Sequence, residues 1–233
     1  MDIPVIIYED NHLIAVNKPA GWLVQGDETG DLPLSEWVKQ YIKQRYKKPG
    51  AVFLGVIHRL DRPVSGAVVF ARTSKALTRM NKLFQDREVQ KTYLAITKER
   101  PYPLAGHLTH YILKDKSRNV AKAYDKVGNR TKSAKKSDLD YEMVSEIEGY
   151  HLLKVNPLTG RPHQIRVQLS TVGYPIVGDL KYGFRQPNHD ASICLHCRAL
   201  SFIHPVKKEP VKIEASLPEN VYWKNFMDLS WEQ

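Results

Sequence analysis

Residues 52–71 read VFLGVIHRLDRPVSGAVVFA, two apolar runs separated by a short charged segment. Runs of this length that are rich in β-branched and aromatic residues predict strands, here over residues 52–57 and 67–71. The charged segment between them places Asp61 among arginines. We therefore expect this carboxylate to lie on a loop held by two buried strands, a position that commonly carries function.

Periodicity along the rest of the chain predicts an α+β fold. Apolar residues at helical spacing indicate helices over residues 34–46 and 74–84, and a third helix that begins near Pro162 and ends at Gly173. Short β-rich runs predict strands at 5–8, 13–16, 91–96, 141–147, 151–155, 195–202 and 211–215. We also predict a short helix near residues 220–229. Because strands predominate, we predict a mixed, mainly antiparallel sheet with flanking helices.

Length and cysteine content limit the domain organisation. A chain of 233 residues that is 42% hydrophobic can bury one core, so we predict a single domain over residues 1–233, with a two-lobed arrangement as the alternative. Cys194 and Cys197 are the only cysteines, which is too few for a disulfide framework and consistent with a reducing compartment. They lie in a strand pattern, in which residues three apart point to opposite faces, so we expect two core residues and no metal site.

The chain carries a strong positive charge. Its 35 lysines and arginines against 25 aspartates and glutamates give a net charge of +10 and an isoelectric point near 9.5, which attracts polyanions such as nucleic acid or anionic lipid. No apolar run approaches the ~18 residues needed to span a bilayer, and the first residues lack a basic targeting region. We therefore favour nucleic acid over a membrane and predict a cytoplasmic protein.

Most of this charge lies in residues 114–136, which hold nine lysines and arginines and two aspartates, a net charge of +7. The stretch is polar and poor in aromatic residues, so we predict a basic loop or insertion that contacts nucleic-acid phosphates. A solvated surface loop without a partner is the alternative.

The sequence lacks the usual motifs for nucleotide hydrolysis, Rossmann-type cofactor binding, serine hydrolysis and zinc proteolysis, which leaves Asp61 as the candidate. Arg59 and Arg62 favour its ionised form, so we expect a pKa below the usual range and a poor general acid. Such a carboxylate suits nucleophilic or electrostatic work at a sugar carbon. No motif supplies the second carboxylate of a glycosidase, so a glycosyl rearrangement fits better than hydrolysis. A retaining glycosidase and a salt-bridged turn without catalytic role are the alternatives.

Five motifs in this order resemble those of one enzyme family. The segment HRLDRPVSGAVVFART (58–73) closely resembles the signature of the RluA family of pseudouridine synthases. The other four are VNKPAGWLVQGD (16–27), KTYLAI (91–96), GRPHQIRVQLSTVGYPIVGDLKYG (160–183) and LHCRALSFIHP (195–205). Because the similarity spans nearly the whole chain, the sequence is identified as a member of this family.

The resemblance implies a catalytic domain with a central RNA-binding cleft, which isomerises uridine in RNA to pseudouridine. The N1–C1′ bond breaks, the base turns, and it rejoins the ribose through C5. By motif position, Asp61 is the catalytic aspartate, Tyr93 stacks on the target base and helps to remove the C5 proton, and Arg166 pairs with Asp61. Arg59 helps to extrude the target nucleotide. We also assign Arg62, Gln164 and His58 to substrate binding. We expect His58 to act as a hydrogen-bonded support.

This assignment brings further expectations. No cofactor or metal is predicted, because the rearrangement gains and loses no atoms. Ribosomal or transfer RNA is the predicted partner, bound by a monomer without an obligatory protein partner and without a separate S4-like domain. A non-catalytic RNA-binding or folding factor that retains the fold is the alternative. The chain departs from the family at Gln168, where histidine is frequent, and at Gly-Tyr-Pro 173–175, where Gly-His-Pro is frequent. We expect these departures to affect RNA contact or packing and not the reaction.

Overall fold

The computed structural model describes residues 2–115 and 117–227. Eleven strands and four α-helices lie in this part of the chain. The strands are β1 (Val5–Glu9), β2 (Leu13–Lys18), β3 (Gly55–Val56), β4 (Ser65–Ala71), β5 (Gln90–Thr97), β6 (Ala105–Asp115), β7 (Val120–Tyr124), β8 (Lys135–Ile147), β9 (Tyr150–Pro157), β10 (Leu195–Ile203) and β11 (Pro210–Glu214). The helices are α1 (Leu34–Arg45), α2 (Ser74–Gln85), α3 (Gln164–Thr171) and α4 (Val221–Lys224). The predicted C-terminal helix is partly confirmed by α4, and its end beyond residue 227 lies outside the described residues.

Two compact units divide this part of the chain. The first comprises Met1–Gln90 and Cys197–Ser216, and the second comprises Lys91–His196 together with the chain from Leu217 onward. Every strand pair with a described register is antiparallel, which confirms the predicted α+β class.

The first unit is built around β4. Its strands lie in the order β1-β2-β4-β10, with β11 beside β10, and all residues of β4 are buried, as a continuous apolar run predicts. The strand predicted over residues 52–57 is wrong for most of its length, because only Gly55 and Val56 pair with β4. Phe53 is 48% exposed, so the apolar character of this run does not come from a strand buried on both faces.

Gly66 in β4 has a conformation that only glycine accepts. Its φ is +117°, and a Cβ atom would lie 2.3 Å from the carbonyl oxygen of Cys197 in β10. We expect Gly66→Ala to lower the free energy of unfolding by more than about 3 kcal/mol, since backbone at both positions would have to move. Urea unfolding measures the effect.

Gly30 is the matched control for this substitution. It also has a positive φ, +75°, but nothing lies within 4 Å of its Cβ position. Gly30→Ala should therefore cost only the backbone strain, about 1–2 kcal/mol. Equal losses for the two variants would contradict the close approach of Gly66 to β10.

The second unit contains five strands in the order β5-β9-β8-β6-β7. Helix α3 follows β9 and buries Val167 against Ile112 of β6 and Ala121 of β7, with Tyr182 in the same cluster. The helix begins at Gln164, as the proline and the apolar spacing predict, and ends before Gly173, whose φ is +91°.

The basic stretch 114–136, predicted as a loop or insertion, contains strand residues as well as the segments that connect them. It contains the end of β6, the whole of β7 and the start of β8. The sequence hid this hairpin because β7 reads VAKAY, where the buried position is the small residue Ala121. The cations nevertheless lie on the surface. Exposed members are Arg118, Lys122, Lys126, Arg130, Lys132, Lys135 and Lys136.

Both cysteines are buried, which confirms their predicted place in the core. Burial raises the pKa of the Cys194 thiol to about 12. No group of three or more His, Cys, Asp or Glu side chains within the described ranges is placed to hold a metal ion. None of the helices described here has the length and apolar character needed to cross a bilayer.

Candidate active site

Asp61 lies in a turn that leads directly into β4. The Val64 N–H donates to its main-chain carbonyl at 3.0 Å, and Pro63 restricts φ within the turn. The Asp61 side chain is half-buried, whereas the chain from Val64 onward is buried. The carboxylate is therefore held by a buried strand on its C-terminal side, which confirms one of the two strands predicted to hold this loop; on the N-terminal side only Gly55 and Val56 form a strand.

Lys18, at the end of β2, binds the main chain of this turn. Its side chain is fully buried, and Nζ donates to the carbonyls of Pro19 at 3.1 Å, Trp22 at 2.9 Å and Arg62 at 3.2 Å. Burial lowers the pKa of Lys18 to about 7, and the negative charge of Asp61 acts in the opposite direction. The amino group thus joins the loop of Pro19 and Trp22 to the Asp61 turn through main-chain carbonyls.

Lys18 should make stability depend on pH. Its pKa is lower in the folded protein, about 7, than the ordinary 10.5, so between these values the unfolded chain binds more protons and stability rises with pH. We expect the unfolding free energy of the parent minus that of Lys18→Met to increase above pH 7, by at most about 1.4 kcal/mol per pH unit. Urea unfolding of both proteins between pH 6 and 9.5 gives this difference.

Lys75→Met is the control for this measurement, because Lys75 is an exposed lysine of the same unit. The unfolding free energy of the parent minus that of Lys75→Met should not vary with pH. If the unfolding free energy of the parent minus that of Lys18→Met falls above pH 7, Lys18 is not a desolvated cation.

His58 is held by the structure around it. Its Nε2 accepts a hydrogen bond from the Val69 N–H of β4 at 3.1 Å, and its ring stacks on Phe84 with centroids 5.0 Å apart. The supporting role predicted for this histidine agrees with these contacts, which anchor the start of the Asp61 loop to β4 and α2.

The two arginines beside Asp61 differ in their surroundings. Arg62 forms an ion pair with Asp31, with Nη2 2.6 Å from Oδ2, so the guanidinium that sequence adjacency linked to Asp61 also serves another carboxylate. Arg59 is exposed. An exposed guanidinium at the entrance to the loop agrees with a role in contacting RNA, which stays a prediction.

Tyr93 belongs to the second unit. It lies in β5, half-buried, opposite Val155 of β9 in the antiparallel register. Because the residues that follow it in β5 are fully buried, the strand holds the tyrosine backbone firmly. Its predicted contact with a base stays a prediction.

Gln164 is engaged within the protein. Its Oε1 accepts hydrogen bonds from Thr159 Oγ1 at 2.8 Å and from the Arg161 N–H at 3.0 Å, and its Nε2 donates to the Asp138 carbonyl at 3.0 Å. The side chain is buried. These contacts fix the turn before α3, and the substrate contact that we assigned to Gln164 stays a prediction.

Arg166, on α3, is held on two sides. Its Nε and Nη2 donate to Oδ2 and Oδ1 of Asp179 at 2.7 and 2.9 Å, and both side chains are buried. The Tyr182 ring lies against the guanidinium, with its centroid 5.0 Å from Cζ. This bidentate pair fixes the orientation of the guanidinium plane.

Tyr182 is itself fixed by hydrogen bonds. Its hydroxyl accepts from the Ala121 N–H at 2.8 Å and lies 2.7 Å from His163 Nδ1. The turn that carries it depends on Gly178, whose Cβ position lies 2.7 Å from Asn188 and whose φ is +85°. A guanidinium between a carboxylate and an aromatic ring is thus positioned before any substrate binds.

Sequence reasoning missed Lys18 as a support of the Asp61 turn in the first unit, and Asp179 and Tyr182 as supports of Arg166 in the second. All three lie inside the quoted motifs. The available signal was a lysine that ends the apolar strand LIAVNK and an aspartate in the motif GDLKYG.

The two departures from the family motifs serve packing. Gln168 is buried, and its amide nitrogen contacts main-chain carbonyls of β6 and β8 and lies 3.1 Å from His110 Nδ1. The Tyr174 hydroxyl bonds to both the N–H and the carbonyl of Tyr102, each at 3.0 Å. These contacts favour packing over RNA contact as the reason for both residues.

Comparison with known proteins gives the family. Residues 12–171 match the family described as RNA pseudouridylate synthase. A tRNA pseudouridine synthase C of Haemophilus influenzae is 34% identical over 97% of this chain and 98% of that protein. A ribosomal large subunit pseudouridine synthase C of Escherichia coli K12 is 30% identical over 93% of this chain and 67% of that protein. The solved structure of human RNA pseudouridylate synthase domain containing 4 has a TM-score of 0.76 at 25% identity, covering 92% of this chain and 88% of that one.

The fold and the family match define the class of protein, a pseudouridine synthase that acts on RNA. The chain belongs to the RNA pseudouridylate synthase family, and it is an enzyme of the RluA type. The resemblance stated from the five motifs is thereby confirmed.

Proposed function

We propose that this enzyme converts uridine to pseudouridine in transfer RNA, with Asp61 as the carboxylate that acts at the target nucleotide. The observation that carries the proposal is the family match over residues 12–171, a range that includes Asp61, Tyr93 and Arg166. Transfer RNA is supported by relatives named tRNA pseudouridine synthase C that align over 97% and 98% of this chain. The ribosomal relatives make ribosomal RNA the second candidate.

The reaction balances without a co-reactant. The N1–C1′ bond breaks, the C5–C1′ bond forms, the C5 proton leaves, and N1 takes up a proton. Three first steps use the same carboxylate of Asp61: attack at C1′, addition to the pyrimidine ring, and proton abstraction through a glycal-like intermediate. In each of them the carboxylate acts in its ionised form.

Residues of the second unit have complementary roles in this proposal. Tyr93 offers a stacking surface to the extruded base and contributes to removal of the C5 proton, as the resemblance implies. Arg166 pairs with Asp61, also as the resemblance implies, and its bidentate contact with Asp179 fixes its orientation beforehand.

Extrusion of the nucleotide requires compensating contacts. Turning a base out of its stack costs a few kcal/mol, and in this proposal the Tyr93 stack, the exposed Arg59 and the cations of residues 114–136 offset that cost. We further propose that the enzyme works as a cytoplasmic monomer. Sedimentation with and without RNA tests the oligomeric state.

Release of tritium from C5 of uridine tests the proposed function. Transfer RNA and ribosomal RNA transcripts labelled at C5 are incubated with the purified protein. We expect tritium in water from transfer RNA, together with pseudouridine in the digested product. Free uracil would indicate a glycosidase, and no release from either RNA would contradict the proposal. A non-catalytic RNA-binding factor would bind both transcripts and release nothing.

A further inference from the structure

The C-terminal end of α1 carries a second concentration of positive charge, outside the 114–136 stretch. Residues 39–48 read KQYIKQRYKK and contain no acidic residue. Residues 43–48 are all exposed. We define the α1 patch as Lys43, Arg45, Tyr46, Lys47 and Lys48.

The nearest acid does not neutralise the α1 patch. Glu9 is engaged by Arg72 at 3.0 Å and by Arg45 at 3.6 Å, and it accepts hydrogen bonds from the hydroxyls of Tyr41 and Tyr46 at 3.1 and 2.8 Å. One carboxylate therefore faces two guanidiniums. The three lysines add their charges without a carboxylate of their own within the described contacts.

Backbone geometry holds these cations in place. Lys48 N–H donates to the Lys43 carbonyl at 3.0 Å, and Lys47 N–H donates to the Gln44 carbonyl at 3.2 Å, which is the hydrogen-bond pattern of a Schellman motif. Lys47 occupies its left-handed position, with φ at +48°, where glycine is the favoured residue. Lysine therefore keeps a positive charge in the α1 patch at a position where glycine would suit the backbone better.

Tyr46 adds an aromatic surface to the α1 patch. Its ring is 45% exposed, its hydroxyl is held by Glu9, and the Arg72 guanidinium lies 4.8 Å from the ring centroid. Aromatic rings beside cations are the usual means of binding unpaired bases next to phosphates.

The charge alone would also suit an anionic membrane, but the helix does not. The apolar residues of α1, Leu34, Val38 and Ile42, are buried in the first unit. An interfacial helix needs a continuous apolar face to enter the lipid, and outside these buried positions α1 keeps only the half-buried rings of Trp37 and Tyr41, which stack on each other. RNA is therefore the favoured partner.

We propose that the α1 patch is a second RNA-binding surface, which contacts the phosphate backbone and an unpaired base of the substrate RNA away from the target uridine. This inference rests on the proposed function for the identity of the RNA. Contacts of this kind raise affinity for a long, structured substrate and contribute nothing to the chemical step.

The test compares two variants with equal net charge. The patch variant combines Lys43→Gln, Lys47→Gln and Lys48→Gln, and the control combines Lys75→Gln, Lys208→Gln and Lys224→Gln, three exposed lysines outside the α1 patch. Affinity for full-length transfer RNA is measured by fluorescence anisotropy at several salt concentrations. The patch variant should bind at least tenfold more weakly, and the slope of log affinity against log salt should fall by about 2 to 3. The control should resemble the parent.

Two further readouts separate this inference from other causes. The patch variant should keep the parent kcat at saturating RNA and should lose kcat/KM only on the full-length substrate, not on a minimal stem-loop. Lys47→Gly should raise the melting temperature by about 1–4 °C while weakening RNA binding, because glycine suits the backbone and lacks the charge.

Three outcomes would overturn the inference. They are equal RNA affinity of the patch and control variants, a Lys47→Gly variant that binds RNA as tightly as the parent, and a patch variant that loses binding to phosphatidylserine vesicles but not to RNA. If the parent forms no pseudouridine, the proposed function fails, whereas the binding comparison still decides whether the α1 patch binds RNA.

Discussion

Asp61→Asn is expected to abolish pseudouridine formation while leaving RNA binding nearly intact. Asparagine keeps the shape of the side chain but lacks the negative charge that acts at the target nucleotide. A group that forms or breaks bonds in the reaction accounts for several orders of magnitude in rate, so kcat should fall by at least about 10³-fold. Tritium release under single-turnover conditions measures the rate, and anisotropy measures the affinity, which should stay within about threefold.

Asp31→Asn is the matched control for this variant. Asp31 is a half-exposed carboxylate of the same unit and forms an ion pair with Arg62, yet it has no assigned part in the reaction. It should retain activity within about threefold, because an exposed ion pair contributes little. If Asp61→Asn loses stability but forms product as fast as the parent, Asp61 is only a salt-bridged turn residue.

Asp179→Asn should have the second-largest effect, although Asp179 lies outside the residues assigned to the reaction. Its carboxylate holds two nitrogens of Arg166 in a buried pair. Asparagine can accept only one of those hydrogen bonds and turns its own amide toward the other donor. Misplacement of a positioning group by about 1 Å can cost 10²-fold in rate, so we expect kcat to fall about 10²-fold with KM for RNA little changed.

The variant should also be less stable, by about 3–5 kcal/mol, because one partner of a buried ion pair is left without its counter-charge. Kinetics are therefore measured at a temperature where unfolding curves show the variant to be folded. Asp140→Asn is the control, since Asp140 is a half-exposed carboxylate of the same unit and pairs with His107. A destabilised Asp179→Asn variant with the parent kcat would show that the pair serves the fold alone.

The elements that present the site could be predicted because they are encoded locally. The continuous apolar run of β4 and the helical spacing of α1 and α2 follow from periodicity, and the structure confirms them. Prediction failed where local composition is misleading. The charges of residues 114–136 concealed a hairpin, and the apolar character of residues 52–57 suggested a strand that is only two residues long.

Partners of charged groups were predicted less well. Sequence adjacency linked the Arg62 guanidinium to Asp61, and adjacency gave no sign that this guanidinium also pairs with Asp31. It also gave no sign that the Arg62 carbonyl accepts a hydrogen bond from the buried Lys18, 44 positions earlier in the chain. Adjacent residues in an extended loop point in different directions, so adjacency alone does not identify the partner of a charge.

The sequence by itself determined the α+β class, the enzyme family and the place of Asp61 before a buried strand, because periodicity and motif order are properties of the chain. Only the tertiary structure decided that Lys18 lies beneath the Asp61 turn and that Asp179 and Tyr182 hold Arg166. The physical reason is burial. A buried charge must find a partner among the groups that packing brings to it, and packing joins residues that are distant in the sequence.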